Sequence, residues 1–328
     1  MNADRTGLRH VAGGSYAWLQ GDGGWGLSNA GVVVGEDEAV LVDTLFDLPH
    51  TRTMMSQLGP LTAGTPIRTV VNTHGNGDHW FGNALLDDQT RIVAASGTLD
   101  DMRAVGPDTV ARLLQTPGQV GAFGRRIFGA FEFASIRPRY PTETYEVEHH
   151  VSLRGVDLLL VDVGPAHTSA DTIVYCERDG VVFTGDIVFA AGTPIMWEGP
   201  TENWLRACAR IRELGARYLV PGHGPISPMS RLREMSDYLE LVREQAARRH
   251  ALGMSIDQAA RDIDLGSFTR WPEAERLAAN VATIYRELSS SPTPPTPGPV
   301  MFGCMASLRD HWDALRNGAD KATEAPQR

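Results

Sequence analysis

The chain is predicted to fold as a layered α/β protein. Short apolar runs closed by Gly or Asp alternate with helix-patterned segments in two separate stretches, and several of these runs stop at a side chain able to hold a metal. In the first stretch, residues 32–34, 39–42 and 69–72 read as strands, with a helix-compatible segment at 50–58 before the last of them. The second stretch repeats the grammar. Residues 158–163, 172–176, 181–184 and 218–220 are strand candidates, and helical patterning over 203–214 separates the last two. Periodicity alone fixes neither strand order nor pairing.

Between these stretches, residues 97–144 form a Gly- and aromatic-rich insertion that includes FGRRIFGAFEF and RPRYP. It reads either as a lid over the rest or as a surface excursion with its own small cluster. Residues 1–228, insertion included, are expected to make the main domain, and 229–290 a helical C-terminal extension of it, with Leu239, Leu241, Val242 and Ala246 on an apolar face. SPTPPTPGP at 291–299 reads as an extended Pro-rich spacer. The tail after it, within 291–328, forms either one short amphipathic helix near 305–315 or stays loose.

With 328 residues, 42% hydrophobic and 21% charged, the chain is long enough to bury a substantial core. A formal net charge of −10 opposes binding to a phosphate backbone, so nucleic acid is not the expected partner. No run is apolar enough for a signal segment or a bilayer span, which predicts a cytoplasmic protein without a membrane partner. Only three cysteines occur, Cys176, Cys208 and Cys304, widely separated and in no paired metal-ligand spacing, so neither a disulfide framework nor a thiolate zinc site is expected.

The chemistry concentrates in NTHGNGDHWFGN, residues 72–83, which ends a predicted strand and presents His74, Asp78 and His79 in one turn-rich loop. Gly75 and Gly77 let that loop fold tightly enough for the side chains to converge. Imidazole nitrogen and carboxylate oxygen suit a borderline divalent ion such as zinc. A single His or Asp after a strand usually caps or hydrogen-bonds; a cluster of them does not reduce to that. LVDVGPAHTSADT with His167, VVFTGDIVF with Asp186 and YLVPGHGP with His223 repeat the arrangement.

This series resembles the metallo-β-lactamase superfamily, whose signature is HxHxDH followed by a His, an Asp and a final His, all at strand ends. The resemblance runs from Val42 and Asp43 to His223. It implies an αββα sandwich with metal in a shallow cleft at one edge. His74, His167 and Asp186 would belong to a first ion; Asp78, His79 and His223 would hold a second, with Asp186 bridging. Asp43 matches the family's Asp after an early strand, which orients a loop or ligand; a turn-forming Asp is the plainer alternative. Asn76 stands where the second His of the signature is expected. An amide oxygen is a neutral, weak ligand, so the first site keeps two imidazoles and one carboxylate. That leaves two zinc ions with one site weak, a single ion in the second site, or iron, because two His and one carboxylate also serve non-haem Fe(II) oxygenases.

In the hydrolytic reading, a hydroxide formed from metal-bound water near Asp186 attacks an acyl carbonyl, and Asp78 orients it or accepts its proton. Thr168, after His167, is either a supporting residue or a turn cap. Trp80, Met196, Trp197 and Trp204 are candidates for one pocket wall. Phe123, Phe128, Phe131, Phe133 and Tyr140 of the insertion are candidates for another, although large rings are more often core. Such walls would suit a bulky, apolar small molecule: an ester, thioester or lactone. A non-haem iron oxygenase and a metal-poor binding protein are the alternatives. The helical C-terminal region is free to cap the cleft or to make a homodimer interface.

Overall fold

The computed structural model describes residues 6–289 and 294–323. A hairpin of β1 (Gly7–Ala12) and β2 (Ser15–Leu19) leads into β3 (Ala30–Val34) and β4 (Ala39–Val42). Helix α1 (Leu48–Thr62) then crosses to β5 (Ile67–Val71), which lies parallel to β4. Asp47 caps α1 by accepting from the His50 amide at 2.9 Å, and Leu48, Thr51, Met54 and Leu58 make its buried stripe. After β6 (Arg91–Ala95) come α2 (Ser96–Ala104), α3 (Pro107–Gln115) and α4 (Gly118–Phe128), before β7 (Glu143–Tyr145) joins β6 in parallel. The sheet runs β1 to β7 in sequence order.

A second sheet holds β8 (Glu148–Leu153), β9 (Val156–Asp162), β10 (Thr172–Cys176), β11 (Val181–Phe183) and, after α5 (Thr201–Glu213), β12 (Tyr218–Val220). Its order is β12-β11-β10-β9-β8, with β11 and β12 parallel. Because strand side chains alternate, each sheet buries two faces. Val33, Val40, Val42, Val71 and Val93 meet Leu158, Leu160, Val174 and Phe183 between the sheets. Val32, Leu41, Val70 and Ile92 point the other way, onto Met54 and Leu58. On the far side, Ile173, Val182 and Leu219 lie under Trp204, Ala207 and Ile211 of α5 and under α6 (Arg231–Ala251), α7 (Ile256–Asp262) and α8 (Leu277–Leu288). The layers are helix, sheet, sheet, helix, as the resemblance implies.

Residues 97–144 form the α2–α4 crossover. Phe128, Phe131, Phe133 and Ile136 pack with Phe46, Trp80 and Phe81 as an aromatic cluster of their own. The Pro-rich stretch is shorter than the sequence suggests, because α9 (Gly298–Thr323) begins inside it; Ser291, Pro292 and Thr293 lie outside the described residues. Met301, Met305, Ala306 and Leu308 of α9 are buried in the cluster that holds α7 and α8. Arg126 of α4 reaches Asp313 of α9 at 3.2 Å, joining the crossover to the tail helix. Among the described residues no helix is long and apolar enough to cross a membrane.

Candidate metal centre

Strand ends from both sheets deliver the site. Asp43 follows β4 in a left-handed backbone conformation, φ 63°, which turns its carboxylate toward the loop after β5. That loop carries His74, Asn76, Asp78 and His79; His167 lies between β9 and β10, Asp186 follows β11, and His223 follows β12. His74, His79, His167, Asp186 and His223 are all buried, and Asp78 is partly exposed. Asp186 sits at the middle. Its oxygens lie 3.2 Å from His79 Nε2, 3.3 Å from His167 Nε2, 3.4 Å from His223 Nε2 and 3.8 Å from His74 Nε2. Asp78 Oδ2 is 3.4 Å from His223 Nε2.

Every one of these imidazoles is held by Nδ1, which leaves Nε2 facing the others. His167 Nδ1 donates to the Ile195 carbonyl at 2.6 Å and His223 Nδ1 to the Gly23 carbonyl at 3.0 Å. His79 Nδ1 donates to Asp43 Oδ2 at 2.8 Å. His74 Nδ1 reaches the same carboxylate through the Thr73 hydroxyl, over 3.0 and 2.7 Å. Such anchoring fixes each ring's orientation and aims its Nε2 at the centre. His74 Nε2, His79 Nε2 and Asp186 Oδ1 are buried without a hydrogen-bond partner among the described residues. His79 Nε2 and Asp186 Oδ1 face one another at 3.2 Å as an ion pair without hydrogen-bond alignment, while an orphan such as His74 Nε2 costs about 1–3 kcal/mol. A divalent ion would satisfy all three, so the donor set fits the metal that the sequence pattern implies. His74, His79 and Asp186 form one group of mutually close ligand atoms, and Asp78, His79 and His223 form another.

Asn76 faces this centre, and its amide nitrogen lies 2.8 Å from His167 Nε2. Because His167 Nδ1 gives its proton to a carbonyl, Nε2 carries the lone pair and the amide donates into it.

The charges follow from burial and crowding. Burial pushes Asp186 upward, but His223, His79 and His167 outweigh it and hold the carboxylate well below its usual range. Burial opposes charging His223, yet Asp186 and Asp78 raise it to about 9. His79 is raised well above the usual imidazole value by Asp186 and Asp43, against burial. Burial, then the His79 charge, lowers His74 well below it, and burial also lowers His167.

Several supports were not singled out from sequence. Asn29 Nδ2 donates to the carbonyls of Pro221 and Gly224 at 2.9 and 2.8 Å and pins the His223 loop. Asp171 accepts from the Thr168 amide at 3.0 Å and the Thr168 hydroxyl at 2.9 Å, so Thr168 braces the His167 loop. Gly222 leaves no room for a side chain, since a Cβ there would sit 2.0 Å from Asp186 Oδ1. Its GHG context carried a signal; Asn29 and Asp171 had none beyond residue type.

A cleft of about 570 Å³ opens from Asn76, Asp78, Asp186 and His223 and is walled by Phe46, Phe81, Phe128, Leu113, Trp197 and Phe302. Trp197 lines this cleft. Trp80, Trp204 and Met196 do not line this cleft: all three are buried in the core. Both indoles have their N–H satisfied by backbone, Trp80 by the Gly75 carbonyl and Trp204 by that of Ile187, each at 2.9 Å, which makes full burial affordable for them. Of the insertion's rings Phe128 reaches the cleft, whereas Phe123, Phe131, Phe133 and Tyr140 pack elsewhere.

A family model described as the metallo-β-lactamase superfamily matches residues 23–223. Hydroxyacylglutathione hydrolase of Methylococcus capsulatus is 28% identical over 151 residues, 46% of this chain and 45% of that protein. The chain spans about half the length of the curated relatives it matches. Among solved structures, the inverting sec-alkylsulfatase Pisa1 from Pseudomonas sp. superposes with a TM-score of 0.67 at 17% identity, over 89% of this chain and 52% of that one. The metallo-β-lactamase FIM-1 from Pseudomonas aeruginosa, solved in a mono-zinc form, gives 0.53 at 22% identity, over 72% of this chain and 95% of that one. With the sandwich, the strand-end ligands and the matched span in agreement, the chain belongs to the metallo-β-lactamase superfamily.

Proposed function

We propose that the protein is a zinc-dependent hydrolase of an ester, thioester or lactone with a bulky apolar part. The observation that carries this reading is the set of Nδ1-anchored imidazoles whose Nε2 atoms converge on Asp186 at the foot of an apolar cleft. His74, His167 and Asp186 would hold one ion, and Asp78, His79 and His223 another, with Asp186 shared. Bound zinc lowers the pKa of water toward neutrality and polarises an acyl oxygen.

The chain's own residues do the rest. Asp78 combines low basicity with partial exposure: burial raises it, but its hydrogen bond to His223 and the charge of His79 bring it below the usual carboxylate value. It therefore stays ionised at neutral pH and accepts a hydrogen bond from the attacking water, orienting it. Phe46, Phe128 and Phe302 keep bulk water from the substrate's apolar part, which strengthens the polar contacts at the reacting end. The names of two similar proteins, a hydroxyacylglutathione hydrolase and an alkylsulfatase, support hydrolysis as the reaction class.

Elemental analysis of the purified protein, with turnover on a small panel of thioesters, esters and lactones, tests the proposal. Zinc together with chelator-sensitive hydrolysis is expected. Bound iron with oxygen consumption on substrate addition would overturn it in favour of an oxygenase, and a protein that stays metal-free in excess zinc or iron would leave a binding role.

A further inference from the structure

The cleft wall contains a buried cation that the metal chemistry does not use. Arg276, immediately before α8, is 2% exposed and still contributes to the wall. Its Cζ lies 4.3 Å from the Trp25 ring centroid and 5.3 Å from that of Phe189. Phe189 stacks on His223, with centroids 5.1 Å apart and planes within 3°. One aromatic ring thus separates the guanidinium from a candidate metal ligand.

The charge is incompletely answered. Nη1 donates to the Thr193 carbonyl at 2.9 Å, while Nε is buried with no hydrogen-bond partner among the described residues. Glu273 comes only to 3.9 Å. Glu275 is engaged by Trp25 Nε1 at 3.0 Å and by Arg309 at 3.0 and 3.1 Å. Burying a guanidinium with donors unmet is unfavourable unless something completes it, and its planar fork matches an oxyanion better than any other group.

We propose that Arg276 binds an anionic oxygen group of the substrate, a carboxylate or sulfate carried on an apolar body that lies along Phe46, Leu113, Phe128 and Phe302. The inference deepens the hydrolase reading by naming the charge its substrate carries, but binding itself requires no turnover.

The test is calorimetric titration of the metal-loaded protein with octanoate, octyl sulfate and octanol, none of which has to be a substrate. Both anions are expected to bind about tenfold or more tightly than octanol. Arg276→Gln should weaken the anions by a similar factor and leave octanol within about twofold, with Arg276→Lys between. The better of the two anions identifies the head group. Equal loss for anions and octanol in Arg276→Gln, or no loss for either, overturns the proposal. A second measurement does not depend on how the variants fold: chelator-stripped wild-type protein should keep its preference for anions over octanol, and loss of that preference with the metal would assign it to the ion instead. If anion binding holds while no ester, thioester or lactone turns over, the hydrolase reading fails alone.

Discussion

The two halves of the candidate centre share Asp186 but differ in what occupies the lone pairs facing it. In the half made by Asp78, His79 and His223, both imidazoles are raised by neighbouring carboxylates and hold protons at neutrality. In the half made by His74 and His167, burial keeps both rings neutral, and the Asn76 amide donates into His167 Nε2. The first half must therefore lose protons to take a metal. The second must lose a hydrogen bond. Similar side chains, anchored by the same nitrogen, are thus set for different responses to pH and to mutation.

His79→Ala should have the largest effect, because His79 belongs to both groups of close ligand atoms. Metal content and turnover should both collapse, by more than the ~10–100-fold that follows loss of an outer partner. Elemental analysis checks this; a variant that retains full metal would separate His79 from the centre. Asp43→Asn comes next. It keeps the shape but removes the charge that accepts from His79 Nδ1 and, through Thr73, orients His74. Metal affinity should fall by ~10–100-fold, measured by chelator competition. An effect confined to one half would show that the two anchoring paths are independent.

The pH dependence distinguishes the halves directly. Metal-free His223 keeps its proton up to about 9, and a metal ion needs the lone pair that proton occupies. For each proton so displaced, affinity should rise about tenfold per pH unit from neutrality to about 9 and then level off. An ion confined to His74 and His167 would show no such rise above neutrality, since both are lowered there. Chelator competition across this range, with proton release followed calorimetrically, tells which half fills first.

The candidate ligands were legible in sequence because each sits within a few residues of a strand end and beside or near glycine, so local pattern and position coincide. The cleft wall was not. Phe46, Leu113 and Phe302 come from a loop, a crossover helix and the tail, and only tertiary packing brings them together. Trp204 looked like a wall residue because it lies downstream of Asp186 in the sequence, yet Trp80 and Trp204 both give their N–H to backbone carbonyls inside the core. The stretch at 291–299 read as a spacer from its prolines, yet Pro299 falls in the first turn of α9, where proline is well tolerated and marks a helix start. Strand β1 escaped notice for another reason. An edge strand such as β1, half exposed along its length, carries no continuous apolar run.

The smallest expected effect concerns Asn76 and isolates the hydrogen bond that sets the halves apart. Asn76→Ala removes the donor from His167 Nε2 without supplying a ligand. A neutral hydrogen bond is worth about 0.5–1.5 kcal/mol, so an ion in the His74 and His167 half should bind ~2–10-fold more tightly. Asn76→His removes the same donor and adds a third imidazole, so it should exceed Asn76→Ala and raise the bound metal toward two ions per chain, read by elemental analysis. The pair of variants separates two roles for one position. If Asn76→Ala weakens that half instead, the amide has turned its oxygen to the ion and serves as a ligand; if it strengthens it, the amide is a plug.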